Sequence, residues 1–127
     1  MHLSKTARTI GLILAVLSML AACQSNGSPP PQANAGADFS ITAGTQPTFD
    51  GCASTGEIVN YKWTIVVASE NMPEDAGKVL REMDANCSFT LGAAMGVAEI
   101  GEWVIELEVR DATGNTSTDT VGIEVTP

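Results

Sequence analysis

Between Gly101 and Asp111 the chain alternates. Trp103, Ile105, Leu107 and Val109 fall on one side of an extended backbone; Glu102, Val104, Glu106, Glu108 and Arg110 fall on the other. A period of two over this length predicts a strand with one buried face. The glutamate side must be wet, because charges two residues apart are poor neighbours in a core. Asp111 to Asn115 supplies turn residues, and Thr116 to Val125 alternates again with Val121, Ile123 and Val125 inward. The two runs predict a hairpin at the centre of a sheet.

Upstream, Asp38 to Thr42 alternates with Phe39 and Ile41 inward, and Ala43-Gly44-Thr45 turns the chain. Gln46 to Asp50 is a second short strand, whose Pro47 suits an edge or a strand start. Ile58 to Val67 is the longest apolar run, with Val59, Tyr61, Trp63, Ile65 and Val67 of one parity. Trp63 in the middle of that row is expected as a core filler. Asn86 to Leu91 returns to strand with Cys87, Phe89 and Leu91 inward. Gly92 to Gly96 is a small-residue loop that leaves Met95 open to solvent. About seven strands with turns at short spacing predict an all-β, immunoglobulin-like antiparallel sandwich.

One segment breaks the pattern. Met72-Pro73-Glu74-Asp75 places proline and acids where a helix begins. Ala76, Val79, Leu80 and Met83 follow at spacings of three and four. The spacing predicts an inserted helix of about three turns over 73–84, with its apolar stripe packed on the sandwich. The sharper reading makes Leu80 and Met83 a docking stripe for a partner protein.

The N-terminus changes the picture of where the chain resides. Lys5 and Arg8 precede an almost unbroken apolar run, Ile10 to Ala22. That is the form of a secretory signal over 1–22, too short to span a bilayer, which takes about 20 residues. Leu20-Ala21-Ala22-Cys23 resembles the lipobox of bacterial lipoproteins. The resemblance implies cleavage before Cys23 and a diacylglyceryl group on its thiol. Two acyl chains meet the requirement for stable anchoring. Plain secretion, with the small residues as an ordinary cleavage site, is the competing reading. In Gram-negative relatives of this kind an aspartate after the cysteine marks inner-membrane retention. Gln24 is not that residue, so the resemblance implies the outer membrane. Residues 23–34, with three consecutive prolines, read as a tether, and 35–127 as the domain.

Loss of the signal removes the sole histidine, His2, and two of the six basic residues. Four bases (Lys62, Lys78, Arg81 and Arg110) then face 15 acids, which leaves −11. Such a surface excludes nucleic acid as a partner, because phosphate requires basic patches. With Cys23 given to lipid, Cys52 and Cys87 remain. Outside the cytosol a disulfide between them is the expectation; two buried free thiols are the alternative.

Several phrases then resemble the PKD family. Ala33-Asn34-Ala35-Gly36-Ala37-Asp38 is similar to that family's opening. Phe49-Asp50-Gly51-Cys52-Ala53-Ser54 is similar to its aspartate-glycine-serine-alanine-serine segment, with Cys52 in place of the first serine. Tyr61-Lys62-Trp63, Gly101 to Asp111 and Gly114 to Val125 match its later strands, apart from Trp103 where tyrosine is common. The resemblance spans 33–127 except 69–86. It implies a β-sandwich serving as a binding, spacer or adhesion module. It also implies that Cys52 and Cys87 sit on neighbouring strands.

The chemistry that remains is sparse. Nucleophilic catalysis usually needs an activating base, and none sits in a recognisable motif. Glu106 and Glu108 form a carboxylate pair of the kind any alternating strand produces. Asp38, Asp50, Asp111 and Asp119 lie near strand ends and are the candidates for calcium, which takes six to eight oxygens. No cofactor is expected. The sequence thus predicts a lipid-anchored, non-catalytic module of the cell envelope, with an envelope protein or glycan as partner. The alternatives are a docking subunit of a larger envelope assembly, or a small enzyme or inhibitor acting through the loops at 92–99.

Overall fold

The computed structural model describes residues 28–127. The expected signal, the lipidation site Cys23 and tether residues 24–27 lie outside them, as does the side chain of Met83. Seven strands occur among the described residues. They are β1 (Phe39–Thr42), β2 (Thr48–Asp50), β3 (Ile58–Val67), β4 (Val79–Met83), β5 (Ser88–Thr90), β6 (Gly101–Asp111) and β7 (Thr116–Thr126). They form two sheets, β1-β7-β6-β3-β4 and β2-β5. Every pairing is antiparallel except β1 with β7.

The alternating run is the middle strand of the larger sheet. β6 pairs with β7 from Gly101↔Val125 to Arg110↔Thr116, and with β3 along its other side. Trp103, Ile105, Leu107 and Val109 are all buried, as are Val121, Ile123 and Val125 of β7. Between the layers Trp63, fully buried, meets the aromatics of the smaller sheet. Its ring centroid is 5.5 Å from Phe49 and 6.1 Å from Phe89, and those two rings stack at 5.2 Å. Such pairs add about 0.5–1.5 kcal/mol each beyond the area they bury.

The expected parity of β3 holds only at its centre. Tyr61, Trp63 and Ile65 are buried, while Val59 and Val67 are exposed. The register against β6 shifts between Ile58 and Asn60 and again between Ile65 and Val67. Each irregularity inserts a residue, and one inserted residue exchanges the faces.

The expected helix over 73–84 is absent. Pro73–Asp75 makes a single 3₁₀ turn, Gly77 leaves it at φ 92°, and Val79–Met83 is strand β4. Spacings of three and four over one short segment are too little to specify a helix. The open edge of β3 offered the same residues a ladder: Ile65 N–H donates to Lys78 O, and Gly77 N–H donates to Ile65 O. Tertiary pairing therefore overrode the local pattern. Met95 is likewise buried, contrary to expectation.

Residues just before 35 also pack on the sandwich. Pro31 is buried, Gln32 bridges Thr55, and Ala33 N–H donates to Ser117 Oγ at 3.0 Å. Cys52 and Cys87 are joined as a disulfide, with Cα atoms 4.9 Å apart. They stand just beyond the paired ends of β2 and β5, so the bond clamps the smaller sheet.

Candidate functional site

Two strands of three residues each cannot cover a five-stranded sheet. Past their ends the inner face is covered by the loop after β5 and by the segment leading into β4. That loop is pinned at both ends. Leu91 N–H donates to Pro47 O at 2.9 Å, and Met95 N–H donates to Thr45 O at 2.9 Å. Gln46 Nε2 also donates to Gly92 O at 3.2 Å. Between the pins only the methyl groups of Ala93 and Ala94 hang over the sheet. A cleft of about 150 Å³ remains beneath them.

Its floor and walls are apolar: Phe49, Ile65, Leu80, Leu91, Met95, Trp103, Ile105 and Ile123. Asp75 and Glu99 are the ionisable residues that line it. Glu99 is held in place. Its Oε2 accepts from Gly96 N–H at 2.8 Å, and its backbone oxygen accepts from Trp103 Nε1–H at 2.8 Å. Asp75 forms an ion pair with Lys78, whose ammonium is thereby held above its ordinary pKa.

A larger, shallower depression of about 380 Å³ lies between β1, β6 and β7. Asp38, Glu102 and Glu124 line it, and Glu102 stands directly opposite Glu124. All three residues are exposed, and the depression opens to solvent.

The sequence candidates are scattered. Each calcium candidate uses its carboxylate to tie backbone. Asp38 Oδ1 accepts from Gly122 N–H at 2.8 Å, Asp119 Oδ2 from Ala35 N–H at 2.8 Å, and Asp50 Oδ1 from Cys52 N–H at 2.9 Å. Asp111 Oδ1 accepts from Thr113 N–H, Thr113 Oγ1–H and Asn115 N–H, closing the β6–β7 turn. The Thr113 and Asn115 bonds hold the Asp111 carboxyl below the usual aspartate range, against an opposing effect of burial. Among the described residues no three such groups are arranged to hold a metal ion.

Glu106 and Glu108 sit on the outer face, opposite Thr64 and Lys62 of β3. Leu80 is no exposed stripe; it is half-buried and walls the cleft. Asp75 and Glu99 carried no sequence signal as a pair, since 24 positions separate them. The small-residue run at 92–96 was the one trace of the cleft.

No family model matches the chain, and no curated protein matches it. Solved structures do. The PKD domain from KIAA 1837 protein is 26% identical, with a TM-score of 0.50, over 80% of this chain and 91% of that one. The first immunoglobulin domain of Dpr11, bound to DIP-gamma, is in a structure that matches at 14% identity, with a TM-score of 0.52, over 79% of this chain and 49% of that one. A nucleoside hydrolase-related hypothetical protein from Saccharophagus degradans, associated with carbohydrate metabolism, matches at 17% identity with a TM-score of 0.53. There the match covers 79% of this chain and only 26% of the other. The fold is a PKD-like, immunoglobulin-type β-sandwich. PKD and immunoglobulin domains are commonly non-catalytic binding or spacer modules.

Proposed function

We propose that the chain is a lipid-anchored, non-catalytic binding or spacer module of the bacterial envelope, held to the outer membrane through Cys23. The observation that carries this reading is the junction of anchor and sandwich. Leu20-Ala21-Ala22-Cys23 ends a short apolar run, and Pro31, the first buried residue among those described, lies eight positions after Cys23. At about 3.3–3.6 Å per extended residue, that spacer reaches no more than about 29 Å. The sandwich therefore stands close to the bilayer, and its acidic surface turns it away from anionic headgroups. An envelope protein or glycan is the partner this placement suits.

Cell fractionation tests the anchor. The wild-type chain partitions with membranes and carries acyl chains by mass; Cys23→Ser leaves it soluble. A Cys23→Ser chain that stays with membranes overturns the anchor.

A docking subunit of a larger assembly is the second reading. Val66, Val67 and Val79 favour it: all are exposed at the β3–β4 end of the larger sheet. Crosslinking in intact cells separates the two, because replacing Val66 and Val79 with serine abolishes the crosslinked complex only if these valines form the contact.

A further inference from the structure

We infer that the cleft beneath Ala93 and Ala94 binds a small organic ammonium ion carrying one compact apolar group. This deepens the binding-module reading and rests on it. Three observations support it.

The first is that the space is preformed. Protein interiors pack at crystal density, with few voids larger than a water molecule. Here the overlying loop cannot collapse inward, because backbone hydrogen bonds fix it at Leu91 and at Met95. The three residues between those pins, Gly92, Ala93 and Ala94, carry at most a methyl group, too short to fill what lies below.

The second is size and lining. An apolar cavity of about 150 Å³ accommodates a guest the size of benzene. The cleft measures about 150 Å³, and its walls are aliphatic and aromatic, Trp103 among them. A single ring or a branched aliphatic group fits within it.

The third is charge. Both ionisable groups of the lining are carboxylates, Asp75 and Glu99. Lys78 already pairs with Asp75. Glu99 is half-buried, and Gly96 N–H engages its Oε2, which leaves Oε1 for an incoming N–H donor. A carboxylate bordering apolar walls favours a cation, since a charge-assisted hydrogen bond is roughly twice as strong as a neutral one. It repels an anion of the same shape. This pattern of apolar walls with one placed polar group is the usual build of a small-molecule site.

Titration of the full chain with three isosteric probes tests the assignment, read by tryptophan fluorescence, to which Trp63 and Trp103 both contribute, and by calorimetry. Benzylamine saturates the cleft and binds at least about five-fold more tightly than benzyl alcohol; benzoate binds more weakly than either. Glu99→Gln retains an acceptor for Gly96 N–H, so the fold is kept, and it brings benzylamine down to the level of benzyl alcohol. Added salt erodes the wild-type preference in the same direction. Ala94→Leu fills the space and abolishes benzylamine binding while the melting temperature holds or rises. Absence of saturable binding overturns the inference. So do equal affinities for the three probes, or wild-type binding by Ala94→Leu. These outcomes are independent of membrane fractionation, so a failed anchor and a failed cleft are told apart.

Discussion

Gly51 shows how a single missing atom can be required. Its backbone takes no left-handed turn, so conformational freedom does not explain it. A Cβ built there would lie 2.8 Å from Leu107 Cδ2, 3.1 Å from Trp63 and 3.2 Å from Cys87 O. Gly51→Ala therefore forces the interlayer core apart. Overpacking of this kind costs about 1–3 kcal/mol. The expected result is a lower urea midpoint with the disulfide intact, whereas a midpoint at the wild-type value would mean that the layers can slide. Asp111 makes a second single-residue case. Its carboxylate closes the β6–β7 turn, and the hydrogen bonds from Thr113 and Asn115 lower its pKa in the folded chain. A folded-state pKa that is depressed contributes stability above the unfolded value, and that contribution is lost as pH falls through the folded one. Urea unfolding at pH 7 should show wild type above Asp111→Ala, with the gap narrowing in acid below the ordinary aspartate range. A gap that widens in acid would contradict the turn's role.

At the scale of elements, β6 and the segment 73–84 differ in how much the chain announces. β6 alternates over its whole length and could be read residue by residue. Its four inward side chains are buried, and its glutamates face outward. β4 could not be read, because what makes it a strand is the open edge of β3 rather than its own periodicity. The same limit hid the bulges in β3, which exist only as shifts of its register against β6. The aromatic contacts were half legible: Trp63 announced itself as core, but nothing local paired it with Phe89. Register, visible only in the folded sheet, also reveals a defect. Glu102 lies directly opposite Glu124. Like charges so placed are destabilising, by an amount within the 0.2–1 kcal/mol range of cross-strand pairs. Glu124→Lys should raise the melting temperature in low salt and lose most of that gain in high salt. No gain at low salt would show that the two side chains splay into water without meeting.

For the molecule as a whole, the question is what keeps a three-residue pair of strands on top of a five-stranded sheet. Phe49 and Phe89 grip Trp63, but β2 and β5 share only three register pairs. An isolated two-stranded ribbon is marginal at best in water. The Cys52–Cys87 bond, spanning 35 positions, makes that ribbon a closed unit. In the chain-entropy account a loop of this length contributes about 3–4 kcal/mol, by restricting the unfolded chain. Domains of this size are stable by only about 5–15 kcal/mol in total. Removal of the bond should then cost between about a fifth and about four-fifths of the whole. Replacing both cysteines with serine is expected to lower the urea midpoint steeply and to steepen the denaturant slope. The slope rises because an unfolded chain without the crosslink exposes more surface. The two readouts separate two origins of the effect. A lower midpoint with an unchanged slope would place the loss in the folded clamp around Gly51 instead, and an unchanged midpoint would mean that the aromatic grip alone holds the smaller layer in place.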